Sequence, residues 1–361
     1  MTWKFPNRRR TAPPRKLDAE SVLCARNDAS GSATDWWFAY KLPEGAIPPK
    51  GATIRSGKTT GYEYLYLDAD TSGPLTLSPH RLDTPDGALY QTLLPLYQAA
   101  EAGTNSIGWI FYNDEIPGAK DNNGELGHTK GVLAFDLVTQ SAFWLLHSTP
   151  RYPLVDRPDF PEDERIYGQT YLCITLDGLD TARALARVMC HQHEPQTYGC
   201  RIPAALAKDD PLRQLATHVS ASEKDPPVDM TFRSKAGQEF RLLAKNRHWN
   251  QDFWIDWVGP RLSADLDIET WRRGTLPGTQ DSDQKDHVRD VLYVDLSPLG
   301  VSYEWHYTKD HAKWAASEEE HWVCVADINR QVSQEKRGGG TIALQHPGLH
   351  GSLSQIEKYQ P

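Results

Sequence analysis

The sequence predicts an α/β fold built in two similar halves, and three observations lead there. Strand-like and helix-like stretches alternate along both halves of the chain. The tripeptide His-x-Lys occurs at two places and nowhere else, as His128-Thr129-Lys130 and His311-Ala312-Lys313, 183 positions apart in a chain of 361. Each copy is followed by a second apolar run that carries tryptophan, Phe143-Trp144-Leu145-Leu146-His147-Ser148 in one case and His321-Trp322-Val323-Cys324-Val325-Ala326-Asp327-Ile328-Asn329 in the other. A chain of this length supports about two domains and buries roughly three quarters of its unfolded surface.

Taken in order, residues 1–20 read as a basic, Pro-rich arm, containing Arg8-Arg9-Arg10, that is expected to be disordered. A first strand is expected from Asp35 to Pro43 and, after a Gly/Pro-rich loop, a second from Tyr62 to Asp68, where aromatic alternation favours strand over helix. A helix over Ala88 to Glu101 and a strand over Ser106 to Tyr112 lead to the loop Asn113-Asp114-Glu115. The run Lys130 to Asp136 reads as a buried strand opened by a charged pair; strand alternation points His128 and Lys130 the same way and Thr129 the other. Beyond His147 comes a Pro-rich loop to Pro161, a strand from Tyr167 to Leu176 and a helix from about Thr181 to Cys190.

The tract Ser220 to Asp229, with Lys224-Asp225-Pro226-Pro227, is the best linker, so the halves are assigned as 21–210 and 211–361. In the second half, strands are expected at Asp229 to Arg233 and Glu239 to Ala244, helices near Asp252 to Arg261 and Ala264 to Trp271, and a strand over Val288 to Asp295.

The formal charge of -9 excludes a protein that grips nucleic acid through bulk positive charge, so an anionic substrate must be held locally. Thirteen positive charges from full histidine protonation would turn -9 into +4, which reverses that balance in acid. Met1 to Leu23 has no apolar core of signal-peptide length, and no stretch approaches a membrane span, which predicts a cytoplasmic chain with no membrane partner. Five cysteines, Cys24, Cys173, Cys190, Cys200 and Cys324, are an odd set without framework spacing, no Asn-x-Ser/Thr sequon occurs, and disulfide stapling is not required.

Other candidate sites are weaker. Cys190-His191-Gln192-His193 with Cys200 supplies donors of the type zinc takes but matches no closed-site spacing. Asp18 with Glu20, Asp163 with Glu164, and Glu318-Glu319-Glu320 could hold Mg²⁺ with phosphate, though each reads more simply as solvated surface. Arg337-Gly338-Gly339-Gly340-Thr341 could present backbone amides to a phosphate, and Trp249, Trp254 and Trp257 could stack on bases or lie in the core. No metal and no cofactor is assigned.

The paired motifs, with Tyr112-Asn113-Asp114, Phe143 to Ser148, Tyr167-Gly168-Gln169-Thr170, Asp327-Ile328-Asn329-Arg330 and Arg337 to Thr341, resemble the deoxyribonuclease II family, acid endonucleases related to phospholipase D. Asp35 to Pro43 is similar to that family's amino-terminal strand, and the likeness runs from about residue 35 to Gln360. The resemblance implies a phospholipase D-like, single-chain pseudo-dimer that cleaves double-stranded DNA without metal, leaving 3'-phosphate and 5'-hydroxyl ends. It implies His128, Lys130, His311 and Lys313 as catalytic, with His128 as nucleophile by superfamily analogy and the reverse assignment left open by symmetry.

His147, Ser148, Asp327, Asn329 and Thr341 are assigned to supporting or phosphate-binding roles. Animal members are secretory and disulfide-bonded, whereas this chain shows neither a signal nor a sequon, which points to a bacterial source. A homodimer is left open. The alternatives are a phospholipase D-type phosphodiesterase acting on another substrate, and an inactive nucleic-acid- or glycan-binding relative.

Overall fold

A computed structural model describes residues 22–49, 57–119, 124, 126–217, 221–273 and 288–359. The basic arm, with Asp18 and Glu20, lies outside the described residues. In chain order the strands of the first part are β1 (Trp36–Lys41), β2 (Tyr64–Asp68), β3 (Thr76–Leu77), β4 (Ile107–Asn113), β5 (Lys130–Asp136), β6 (Ser141–His147), β7 (Gln169–Thr175) and β8 (Thr197–Arg201). Those of the second part are β9 (Val228–Arg233), β10 (Glu239–Lys245), β11 (Leu266–Thr270), β12 (Val288–Asp290), β13 (Tyr293–Asp295), β14 (Glu304–His306), β15 (Lys313–Ser317), β16 (Trp322–Ala326), β17 (Gly339–Gln345) and β18 (Glu357–Lys358). The α-helices are few: α1 (Ala88–Glu101), α2 (Gly178–Val188), α3 (Pro211–Thr217), α4 (Gly259–Leu262), α5 (Val332–Glu335) and α6 (Pro347–Ile356).

Two large sheets dominate, in the orders β3-β2-β1-β7-β6-β5-β4-β8 and β12-β11-β15-β16-β17-β10-β9, and a small sheet β14-β13-β18 lies beside them. Set the short β3 aside and read the second sheet from its β9 end, and the two follow one another position by position, with β5 in the place of β15, β7 in the place of β17 and β1 in the place of β10. Pairing within both sheets is antiparallel except for β11 with β12.

Antiparallel strands usually leave one face to water, yet every residue of β5 and β6 is buried. The reason is that both faces are covered. Leu133 and Phe135 join a central cluster shared with the second sheet, α2 and α6, whereas Val132 and Ala134 join an outer cluster with Leu89, Leu93 and Leu96 of α1. A third cluster, with Trp254, Val258 and Leu262, covers the far side of the second sheet.

Three expectations are corrected. Ala264 to Trp271 contains strand β11 rather than a helix. Leu266 and Ile268 alternate with Asp267 and Glu269, a period of two that outweighs the helix propensity of the composition once β15 is present as a partner. The glycine run that could present amides to a phosphate is largely strand, since Gly339 to Thr341 belong to β17 and pair with β10 and β16. Finally, Cys24 and Cys173 form a disulfide with Cα atoms 6.1 Å apart. Sequence spacing conceals the pair, because 149 positions separate cysteines that folding brings together when the Cys24 N–H donates to Thr175 Oγ1 beside β7.

Candidate active site

Each His-x-Lys ends with its lysine as the first residue of a central strand, Lys130 of β5 and Lys313 of β15, and each histidine stands just outside the sheet. A buried ammonium demands a partner. Lys130 pairs with Asp114, which follows β4, and Arg337 Nη2 donates to the same carboxylate at 3.0 Å. Burial alone would raise the pKa of Asp114, but Lys130, His128 and Arg337 around it hold it well below the usual carboxylate range. Lys313 Nζ donates to its own motif's His311 carbonyl at 2.6 Å, and burial, helped by Lys130, lowers its pKa to about 7.

The two motifs therefore act on one another across the sheets. Lys313 lies within Coulombic reach of His128, and Lys130 of His311. Each histidine is also seated on the other part of the chain. The His128 N–H donates to Gly338 O at 2.8 Å, and the His311 N–H donates to Gly168 O at 2.9 Å. Gly168 is required where it meets Asp310 in a parallel bridge, because a Cβ there would collide with the Asp310 carboxylate.

The His128 ring places Nδ1 2.7 Å from Asp327 O. A carbonyl can only accept, so Nδ1 carries the hydrogen and the neutral ring keeps its lone pair on Nε2, which stands 3.8 Å from Asp114 Oδ2. The His311 ring stacks on Tyr167 with centroids 3.9 Å apart and touches Trp271 at 4.2 Å, and its buried Nε2 has no hydrogen-bond partner among the described residues. Burial pushes both imidazoles well below their ordinary pKa, and the flanking lysines push the same way, with Asp114 opposing them at His128.

The supporting residues separate into two groups. Asp327, raised to about 8 by burial, and Asn329 keep buried oxygens without hydrogen-bond partners among the described residues. Ser148 and Thr341 are satisfied within the protein, Ser148 Oγ donating to Gln169 Oε1 at 2.6 Å and Thr341 Oγ1 to Val325 O at 3.0 Å. His147 sits between Tyr152 and Tyr171 at the end of β6, and burial lowers it to about 3, so it is a neutral ring. By strand register Ser148, whose N–H meets Thr170 O, stands where Asp327 meets Gly340 O.

Of the weaker candidates, the run that begins at Arg337 reaches this site, through the Arg337 guanidinium on Asp114 and Gly338 O on the His128 N–H. His193 is buried 5.9 Å from Trp144, Cys200 is exposed, and no three His, Cys, Asp or Glu side chains among the described residues form a group that could hold a metal ion. Trp254 is core, donating to Ile328 O, while Trp249 and Trp257 pack edge to face against each other. Glu164 is buried near Arg151, and Glu318 to Glu320 lie at the exposed end of β15.

Asp114 and Tyr167 carried no role in the sequence, and Arg337 only that of opening a glycine run that could face a phosphate. A short acidic loop after a strand was the available signal for Asp114. Substituting Asp114→Asn leaves two buried cations without their carboxylate and is expected to destabilise the fold by about 3–5 kcal/mol, measured as a shift in the urea midpoint.

Comparison with known proteins shows the family of the chain. The profile of the family described as Deoxyribonuclease II matches residues 24–361. The chain is 44% identical over 336 residues to a "Putative deoxyribonuclease-2" of Burkholderia pseudomallei, covering 92% of each chain. It is 33% identical over 354 residues to deoxyribonuclease-2-beta of Homo sapiens, covering 95% of this chain and 92% of the human one. With plancitoxin-1 of Acanthaster planci it shares 31% identity over 350 residues, 95% of this chain and 93% of the relative. The family that the paired motifs resemble is thus the family that the whole chain matches, and this protein belongs to the deoxyribonuclease II family.

Proposed function

We propose that this chain is a metal-independent acid endonuclease that hydrolyses double-stranded DNA to 3'-phosphate and 5'-hydroxyl ends through a phosphohistidine. Deoxyribonuclease activity is what the family and its named relatives support. The observation that carries the finer reading is reciprocal seating, in which each motif histidine hydrogen-bonds to a glycine carbonyl of the other part of the chain. Residues 21–210 and 211–361 then act as two phospholipase D-like halves of a single-chain pseudo-dimer, a reading supported by the matching strand orders.

In the proposed reaction, His128 Nε2 attacks phosphorus in line while Nδ1–H remains on Asp327 O. The P–O5' bond breaks, and protonated His311 gives its proton to the departing 5'-oxygen. Lys130 and Lys313 stabilise charge on the non-bridging oxygens. Water, deprotonated by His311, then attacks the phosphohistidine, releasing the 3'-phosphate end and restoring His128. Asn329 and Asp327 supply polar atoms near the reacting groups, and His147, Ser148 and Thr341 shape the ends of the strands behind them.

Plasmid nicking is expected to proceed at its full rate in excess EDTA. Loss of activity on chelation and its return with Mg²⁺ would show that the acidic clusters, not the paired motifs, do the chemistry. Turnover of phosphatidylcholine vesicles in place of plasmid would move the same four residues to a lipid phosphodiesterase. No helix among the described residues is long and apolar enough to cross a membrane. The Cys24–Cys173 disulfide favours an oxidising compartment over the reducing cytoplasm expected from the sequence, and the high-identity Burkholderia relative supports a bacterial source.

A further inference from the structure

Two buried ammonium groups take no part in the reaction described above. Lys41 ends β1 and Lys245 ends β10, and both are 0% exposed. Lys41 Nζ donates to the carbonyls of Leu42 at 3.1 Å, Arg165 at 3.0 Å and Tyr167 at 2.6 Å. Lys245 Nζ donates to those of Gln334 at 2.8 Å, Glu335 at 2.7 Å and Arg337. Three carbonyls take all three N–H bonds of an ammonium.

The two sites occupy equivalent places. Lys41 pairs with Gln169 of β7, and Lys245 pairs with Gly339 of β17. In each case the carbonyls two and four residues before that partner accept from the lysine: Tyr167 and Arg165 in one turn, Arg337 and Glu335 in the other. The residue between the clamped carbonyl and the strand is Gly168 or Gly338, whose own carbonyl holds the backbone of His311 or His128. The side chains of the clamped residues reach the same histidines' surroundings. Tyr167 stacks on His311, while Arg337 Nη2 binds Asp114 and donates to Gly127 O at 2.9 Å, next to His128.

We propose that Lys41 and Lys245 are twin positioning residues: Lys41 sets His311 through the turn 165–168, and Lys245 sets His128 through the turn 334–338. Each half's buried ammonium thereby holds the imidazole that belongs to the other half. The inference rests on the proposed function only in taking His128 and His311 as the reacting groups. Charged or titratable groups that face Lys41 are Asp310, Glu164, Glu63, Glu44 and His311, and those that face Lys245 are Glu335, Glu194, Arg337 and Asp252. Burial lowers both lysines to about 7 against the pull of those carboxylates. The carbonyl clamp is what keeps the proton in place.

The test uses the full chain with Lys41→Met and Lys245→Met, each assayed by single-turnover plasmid cleavage across pH, alongside the histidine Cε1–H resonances recorded without DNA. A displacement of about 1 Å at a reacting group costs on the order of 10²-fold, so kcat is expected to fall about 10²-fold with KM changed by less than about threefold. Lys41→Met should move the resonance of His311 and the pH limb that it controls, and Lys245→Met those of His128. Lys41→Arg and Lys245→Arg keep a cation for the carbonyls and should recover part of the rate.

Folded Met variants with wild-type kcat, pH limbs and histidine resonances overturn the proposal. So does loss of the fold in both the Met and Arg variants, which would make the lysines purely structural. If His128→Ala and His311→Ala are themselves active, the reading of the reaction fails instead, and the substrate-free resonances still decide whether the lysines position the rings.

Discussion

His128→Ala and His311→Ala are each expected to abolish DNA cleavage to within the background of the assay while leaving the fold intact. Proton donation by a placed imidazole contributes roughly 10²- to 10⁴-fold, and removing the nucleophile closes the covalent route altogether. Neither ring carries the core, since both stand outside the strands that their lysines begin. Circular dichroism should therefore match the wild type, while the void left against Tyr167 and Trp271 lowers the melting temperature of His311→Ala without unfolding it. Mixing the two inactive proteins should restore little, because the seats of both histidines are made by residues of the same chain. Complementation on mixing would mean instead that the site is shared between subunits.

Rapid acid quenching with labelled DNA identifies the nucleophile. Label on His128 is expected, because its Nδ1–H is committed to Asp327 O and its Nε2 lone pair is free when the ring is neutral. Asp114, 3.8 Å from that Nε2, favours protonation at the same ring. Label found on His311 alone would show that this electrostatic bias wins and would reverse the two roles.

The second large effect is on pH. The reaction needs one protonated and one neutral imidazole, which for unperturbed rings would place the optimum near about 6.5. Burial and the lysines push both rings well below that value, so at neutral pH both are neutral and the proton donor is missing. Activity should rise as pH falls below 6.5 and drop again only when the second ring takes up its proton. The apparent pKa values belong to the pair rather than to either ring.

Bound phosphate stabilises imidazolium. The kcat profile, which reports the complex, should therefore lie at higher pH than the kcat/KM profile, which reports the free enzyme.

Stability sets the lower bound of this range. Asp114 has a depressed pKa, so its ion pair contributes stability that is fully present above the unfolded carboxylate value of about 3.9 and is lost as pH falls through the folded value. The buried histidines act in the same direction, because their lowered pKa values favour the unfolded, protonated chain as pH drops through about 6.5. Anionic DNA should offset that loss. Single-turnover cleavage from acid to alkaline pH at low and high salt separates chemistry from binding. An alkaline optimum removes the paired-imidazole mechanism, whereas an acid optimum that vanishes at high salt assigns the effect to charge attraction between DNA and a chain that leaves -9 behind as its histidines titrate.

What the sequence determined by itself was local. An apolar run with a charged pair at the entrance marked β5, because a strand that is buried on both faces has few places for an ammonium except its end. Aromatic alternation marked β2. The repeated tripeptide marked the two histidines as partners before any distance between them was known.

Everything that depends on which segments meet was left to the tertiary structure. Leu266 to Thr270 became a strand because β15 was available to pair with it, and Cys24 found Cys173 across 149 positions. Asp114 and Arg337 stand 223 positions apart and share one carboxylate contact, and Tyr167 meets His311 as a flat stack that no spacing encodes. The direction of the histidine pKa shifts belongs here too. Desolvation arises only when distant segments close over a ring, so a sequence that names the imidazoles leaves the pH at which they work to the packing around them.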